Sequence, residues 1–193
     1  MVKDFNNLSP KELGRLFPIE IVPYNPLWHD LFLTEKAEIE RIISPFVLKI
    51  EHFGSTAIPN IAAKPTIDIL VAIPDQEEIK PMIIEKMKKN EYHYVLRKDS
   101  PPPYMMFMKG YTAKGFKGQC YHIHMAPLNH AGLWDRLYFR DYLISNPAVA
   151  REYENLKLKL ALKYRNDREG YTNGKSEFIR RFTEIAINET SFV

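Results

Sequence analysis

The segment Thr66-Ile67-Asp68-Ile69-Leu70-Val71-Ala72-Ile73 is apolar at almost every position, the pattern of an interior strand covered on both sides. Such a strand requires a sheet with structure on each face. Alternation puts Asp68, Leu70 and Ala72 on one of those faces. A carboxylate there is costly to desolvate unless it meets a cation or hydrogen-bond donors. A salt bridge to Lys64 or an arginine would satisfy it, and so would a divalent ion carrying nucleotide phosphates.

The stretch before it, Glu51-His52-Phe53-Gly54-Ser55-Thr56-Ala57-Ile58-Pro59, ends an earlier strand. Phe46 to Phe53 has strand character, with Phe46, Leu48, Ile50 and His52 on one side and Val47, Lys49, Glu51 and Phe53 on the other. Glu51 and His52 therefore face opposite ways. Gly54 permits close approach of the backbone to a ligand, and amides at the start of the following turn can point at phosphate oxygens. An ordinary strand-ending turn is the competing reading of Gly-Ser. From Ser55 to Ile61 at most one helical turn fits, because Pro59 lacks an amide hydrogen.

The surrounding pattern is α+β. Ser9-Pro10-Lys11-Glu12 forms a capping box for a short helix inside an N-terminal extension, residues 1–18. Residues 19–193 then read as a single domain. Ile19 to Val22 reads as a short strand, and a helix from Pro26 to about Ser44 carries Trp28, Leu31, Phe32, Ile39, Ile42 and Ile43 on one face. A second helix opening at Pro74-Asp75 has Ile79, Met82, Ile83 and Met87 as its stripe. Tyr92–Lys98 and Tyr104–Lys109 read as strands joined by the stiff linker Asp99-Ser100-Pro101-Pro102-Pro103, and Lys114 to Gly118 as a solvated basic loop. In Gln119–Ala126, Cys120, His122 and His124 point one way and Tyr121, Ile123 and Met125 the other. The C-terminal third is helical. Leu133, Trp134, Leu137, Tyr138 and Ile144 mark one helix, Val149 to Tyr164 a second, and a last helix begins near Thr172 and buries Phe178, Ile179, Phe182 and Ile185.

Bulk properties narrow the function. With 27 basic and 24 acidic residues the formal charge is +3, too small an excess to imply a nucleic-acid footprint, though compatible with anionic small molecules. The single cysteine, Cys120, excludes an intramolecular disulfide and a Cys-based zinc site. The start Met-Val-Lys-Asp-Phe-Asn-Asn lacks an apolar signal core, and no apolar run approaches the ~18 residues of a membrane span. The expectation is a soluble cytoplasmic protein.

Glu51 to Pro59, followed by Ala63-Lys64-Pro65-Thr66-Ile67-Asp68-Ile69-Leu70-Val71, closely resembles the signature of the GrpB family. His122-Ile123-His124, Phe139-Arg140-Asp141-Tyr142-Leu143 and Tyr171 to Phe178 with Lys175 are similar to that family's downstream motifs, in the same order. The resemblance covers about residues 19–187. It implies the nucleotidyltransferase superfamily typified by DNA polymerase β: a mixed sheet flanked by helices, with a Gly-Ser phosphate corner. In that superfamily the next strand carries two metal-binding carboxylates two residues apart, and a third usually lies on a neighbouring strand. Asp68 matches the first, but Leu70 occupies the second position, and His122 and His124 stand where the third is sought.

What the resemblance implies for chemistry follows residue by residue. Gly54, Ser55, Thr56, Lys64 and Lys175 would bind the nucleotide, and Asp68, Glu51 and Arg140 would serve catalysis. Asp68 with His122 and His124 would hold a divalent ion, magnesium, manganese or zinc. As neighbours on a helix, Arg140 and Asp141 point about 100° apart and need not pair. Lys175 near a helix start suits an anionic ligand or solvent. The expected ligand is a nucleoside triphosphate or another phosphorylated small molecule, and the expected activity nucleotidyl transfer to an unknown acceptor. Two alternatives stand beside it. One is a degenerate member that binds a nucleotide or phosphate without chemistry. The other is a histidine-dependent phosphodiesterase or nucleotide hydrolase, for which Ala126 lacks the third histidine of a triad.

Overall fold

The computed structural model describes residues 8–98, 102–130 and 132–190. Within them run helices α1 (Pro10–Leu16) and α2 (Trp28–Ile43), strand β1 (Lys49–Phe53), a 3₁₀ turn (Ser55–Ala57) and strand β2 (Thr66–Ala72). Helix α3 (Ile79–Lys89), strands β3 (His93–Arg97), β4 (Tyr104–Thr112) and β5 (Gly115–Ala126), and helices α4 (Arg136–Ser145), α5 (Pro147–Lys163) and α6 (Arg168–Thr190) complete the order. The strands form one sheet in the order β1-β2-β5-β4-β3. Only the β2–β5 pairing is parallel; the other three are antiparallel, so the sheet is mixed.

The apolar β2 does lie inside the sheet, and the two faces it presents build different surroundings. Ile67, Ile69 and Val71 join Tyr121, Ile123, Met125 and Phe107 against Trp28, Phe32, Ile39 and Ile43 of α2 and Ile79, Ile83 and Met87 of α3. Each fully buried aliphatic or aromatic side chain contributes roughly 1.5–3 kcal/mol, which makes this layer the main source of stability. Buried Glu35 of α2 accepts from Lys109 of β4 at 2.8 Å and from the Tyr92 hydroxyl, pairing the one carboxylate the layer encloses. On the opposite face, Phe53, Leu70, Met106, Met108 and Cys120 form a smaller cluster with Phe17 and Leu133. A third cluster seats Ile58 and Ile61, just beyond the 3₁₀ turn, against Phe139, Leu143, Ala150, Tyr153 and Phe182 of α4, α5 and α6. The helical C-terminal third therefore covers the β1–β2 corner.

Several boundaries differ from the sequence reading. Ile19–Val22 is not a strand; Val22 makes a single bridge with Ala63, and Pro23 has no amide to extend it. Strand β1 starts at Lys49 and α3 at Ile79, and Met82 is 45% exposed rather than part of the stripe. The basic segment Lys114–Gly118 is no open loop. Gly110, at φ 86°, lies at the register shift between Lys109 and Tyr111, β4 continues to Thr112, and β5 starts at Gly115, so most of the segment belongs to a hairpin. In α4 the buried residues are Phe139 and Leu143, while Tyr138 and Ile144 are exposed. Helix α6 starts at Arg168, with Tyr171 buried, which carries Lys175 two turns into the helix. Of the expected linker, Asp99, Ser100 and Pro101 lie outside the described residues. The capping box on α1 forms, with the Ser9 amide donating to Glu12 Oε2 at 2.9 Å and the Glu12 amide to Ser9 Oγ at 3.3 Å.

Candidate functional site

The corner between β1 and β2 is built around one glycine. Gly54 has φ 73° and ψ −172°, a conformation essentially reserved for glycine. A Cβ on it would stand 2.5 Å from Asp68 Oδ2, so backbone and carboxylate touch only because no side chain intervenes. The 3₁₀ turn follows at once, and the first amides of such a turn have no partner within it. Thr56 pins the turn from inside: its hydroxyl donates to the Thr66 carbonyl at 3.3 Å and lies 3.0 Å from His52 Nε2. Thr56 is buried, whereas Ser55 remains half-exposed and faces the Tyr153 hydroxyl of α5.

Strand register sets what stands beside Asp68. Across the sheet, Phe53, Asp68, His122 and Met108 form one row, and Glu51, Leu70, His124 and Met106 the next. Leu70 is fully buried in the apolar cluster of this face. His122 Nδ1 lies 3.2 Å from Asp68 Oδ1 and its Nε2 2.8 Å from the Tyr111 hydroxyl. These partners make Nδ1 the donor to the carboxylate and Nε2 the acceptor from Tyr111. Burial favours the neutral form of both histidines and lowers their pKa, His124 well below its ordinary value. Asp68 is held below the usual carboxylate range: burial opposes its charge, but His122, His124 and Lys64 outweigh that.

His124 is engaged elsewhere. Its Nδ1 lies 2.9 Å from the Tyr104 hydroxyl and 3.3 Å from Arg136 Nη1, and its ring crosses that of His122 at 82° with centroids 6.5 Å apart. Among the described residues, no three His, Cys, Asp or Glu side chains are grouped to hold a metal ion. The donor set does not fit the ion pair of a nucleotidyl-transfer centre. Leu70 offers no ligand, and both nitrogens of His122 are committed to Asp68 and Tyr111.

Glu51 and Arg140 serve one another. Arg140 Nη1 donates to Glu51 Oε2 at 3.0 Å and to the His52 carbonyl at 2.6 Å, while Nε donates to Asp141 Oδ1 at 2.7 Å, so the adjacent pair does meet. The arginine bridges the two directions by reaching across its own helix. Lys49 adds a second contact to Glu51 at 3.1 Å. Burial works against the Glu51 charge, yet Arg140 and Lys49 leave its pKa lowered. This cluster ties α4 to β1.

Opposite Asp68 the cations are less well matched. Lys64 and Lys175 stand over one ring, that of buried Tyr171, at 6.0 and 4.4 Å from its centroid. Among the described residues neither ammonium has a hydrogen bond or an ion pair. Burial, reinforced by the charges of Arg168 and Lys175, pushes Lys64 down to about 7, and burial pushes Lys175 down to about 8. Arg168 donates to the Phe17 carbonyl at 2.9 Å and adds its charge to the same cleft. Two ammoniums thus attend one carboxylate that His122 already holds, with Arg168 beside Lys64. Lys157 is satisfied differently: it is 1% exposed, donates to the Ala62 carbonyl and stands over Tyr153, while Glu154 accepts from the Ala62 amide. Arg168 and Lys157 escaped the sequence reading, which placed Tyr153 on the apolar stripe of its helix and not at the site. Lys157, four residues after Tyr153 on the buried stripe of α5, was the detectable signal.

A mixed sheet with a glycine corner and a helical cap makes a nucleotidyltransferase-like α+β fold. The chain belongs to the GrpB family, whose profile, described as GrpB protein, matches residues 18–184. It is 37% identical over 161 residues to the glutamate-rich protein GrpB of Alkalihalophilus pseudofirmus, covering 82% of this chain and 90% of that one. It is 35% identical over 170 residues to the UPF0157 protein YqkA of Bacillus subtilis, covering 87% of this chain but 47% of YqkA, so it spans about half of that relative. The crystal structure of the conserved protein GrpB from Enterococcus faecalis superposes with a TM-score of 0.77 at 29% identity, over 89% of this chain and 99% of that one. With the GLD-2/RNP-8 complex the likeness is of fold alone, at a TM-score of 0.52 and 14% identity over 79% and 58% of the two chains. Among the described residues no helix is long and apolar enough to cross a membrane.

Proposed function

We propose that this protein binds a phosphorylated small molecule, first of all a nucleoside triphosphate, in the cleft between the Gly54-Ser55 corner and helix α6. The observation that carries this reading is the pair Lys64 and Lys175, two half-buried ammoniums over Tyr171 that make no hydrogen bond or ion pair among the described residues. Burying cations without acceptors is unfavourable, and an anion entering the cleft offsets that cost. Phosphate oxygens would take hydrogen bonds from Lys64, Lys175 and the Ser55 and Thr56 amides, and Arg168 would add long-range attraction. Within the family resemblance this is the binding half of a nucleotidyltransferase site, working on cytoplasmic nucleotides.

The transfer reaction is the finer reading, and its support is narrower. Asp68 remains ionised beside Gly54, which suits a carboxylate meeting a magnesium ion that arrives with the phosphates and keeps most of its waters. A divalent ion would supply charge neutralisation at the transferring phosphate. With Leu70 in place of the second carboxylate and His122 committed on both nitrogens, the residues present do not make that set, so binding without transfer is the reading we prefer.

Calorimetric titration with ATP, GTP, CTP and UTP, each with magnesium, with manganese and with a chelator, tests both. Binding that survives chelation and yields no pyrophosphate is expected. Metal-dependent pyrophosphate release would restore transfer, and the absence of binding to all four, and to tripolyphosphate, would overturn the proposal.

A further inference from the structure

Lys64 and Lys157 are both pushed down to about 7, yet they stand in opposite surroundings. Lys157 is 1% exposed, and its amine is spent on the Ala62 carbonyl. Lys64 is half-exposed, and among the described residues its amine makes no hydrogen bond or ion pair. Of the two, only Lys64 offers a nitrogen that a reagent can reach. Cys120, the thiol on this face of the sheet, is buried and pushed up to about 11 by that burial, so it is no competing nucleophile.

Lys64 and Lys175 share the Tyr171 ring unequally. Lys175 Nζ stands 4.4 Å from the centroid, whereas Lys64 Nζ stands at 6.0 Å, the outer limit of a cation–π contact. The ring therefore holds the Lys175 charge better. Lys64 is half-buried with no acceptor and has Arg168 and Lys175 as like-charged neighbours, so it gives up its proton first; Lys175 is pushed down only to about 8. At about pH 7 roughly half of Lys64 is free amine while most of Lys175 is ammonium. An amine freed by burial and neighbouring cations is the pattern of a nucleophilic lysine. Beside it stands an ammonium able to hold an anion. Such a pair suits an electrophile whose leaving group is itself the anion.

We propose that Lys64 is a modification site for acyl phosphates, the cleft holding the phosphate on Lys175 while the Lys64 nitrogen attacks the acyl carbon. The N–C bond forms as the C–O bond to phosphate breaks. Inorganic phosphate leaves with the electron pair, the nitrogen loses one proton to solvent, and a neutral amide remains. The amide removes a charge and a strong donor from the cleft, so triphosphate affinity falls about 10- to 100-fold. Acylation is thus a switch on the phosphate site, and the inference rests on that reading of the cleft.

The test incubates the full-length protein with acetyl phosphate near neutral pH and follows each lysine by peptide mass spectrometry. Lys64 is expected to gain its acetyl group about tenfold or more faster than exposed Lys114 and Lys117, and Lys157 to stay unmodified. Tripolyphosphate should protect Lys64 and leave Lys114 and Lys117 unaffected. Lys175→Met should slow acetylation of Lys64 by acetyl phosphate about tenfold, while acetylation by acetic anhydride, which brings no phosphate, changes little. Lys64 labelled no faster than Lys114 and Lys117, Lys157 labelled ahead of it, or an equal loss with both reagents in the variant would each overturn the inference. The two readings fail separately. Tripolyphosphate that binds in calorimetry while Lys64 shows no preference ends this inference alone; tripolyphosphate that neither binds nor protects ends the phosphate reading as well.

Discussion

Replacing Lys64 by methionine should make the protein more stable while removing its ligand. A lysine in the unfolded chain titrates near 10.5, and in the cleft it is pushed down to about 7 by burial and by Arg168 and Lys175. At ~1.36 kcal/mol per pH unit, that drop corresponds to roughly 4–5 kcal/mol of destabilisation for the charged form. Lys64 keeps partial exposure, and methionine forfeits the contact with Tyr171, so a net gain of about 2–3 kcal/mol is expected, or roughly 5–10 °C in Tm. The sign with pH is specific. Below about pH 7 both folded and unfolded lysine are protonated and the full penalty is present; between about 7 and 10.5 only the unfolded form holds the proton, so wild-type stability climbs. Urea unfolding of wild type and Lys64→Met should therefore diverge most at about pH 6 and converge near about pH 10. Triphosphate affinity should fall about 10- to 100-fold in the variant, the loss of one charge-assisted hydrogen bond. A variant less stable than wild type at about pH 6, or a gain that does not change with pH, would refute the reasoning.

Other expectations follow from the same geometry. Triphosphate binding at about pH 8 should take up protons, read as a dependence of calorimetric heat on buffer ionisation enthalpy, and affinity should decline as pH rises through the values of about 7 and 8 held by Lys64 and Lys175. Gly54→Ala forces a positive φ and a Cβ 2.5 Å from Asp68 Oδ2, so it should cost about 2–4 kcal/mol in urea unfolding and abolish binding. Arg140→Gln removes the bridge from α4 to Glu51 and the His52 carbonyl; about 2–3 kcal/mol is expected to be lost, with faster amide exchange in β1.

The sheet was legible because its signals are local. The unbroken apolar run of β2 announces an interior strand, and alternation alone separated His52 from Glu51 and Cys120, His122 and His124 from their neighbours. Helix faces were less legible. Tyr138 and Ile144 fit a periodic stripe but point outward, since packing on Ile58 and Ile61 selected Phe139 and Leu143 instead. The basic, glycine-bearing composition of Lys114–Gly118 also misled, because Gly115 and Gly118, both at positive φ, lie within a hairpin rather than an open loop. The partners within the site were out of reach for a different reason. Tyr111 against His122, Arg136 against His124 and Arg168 beside Lys64 are meetings of residues distant in sequence, set by register and helix docking, which no local pattern encodes.

The central claim is that the cations of α6 and Lys64 face the Gly54 corner to receive phosphate. The most direct measurement is a crystal structure with a non-hydrolysable nucleoside triphosphate. Phosphate oxygens within hydrogen-bond reach, ~2.7–3.2 Å, of Lys64 Nζ, Lys175 Nζ and the Ser55 amide are predicted. A nucleotide bound elsewhere, or a Gly54 cleft empty under saturating ligand, would contradict the account.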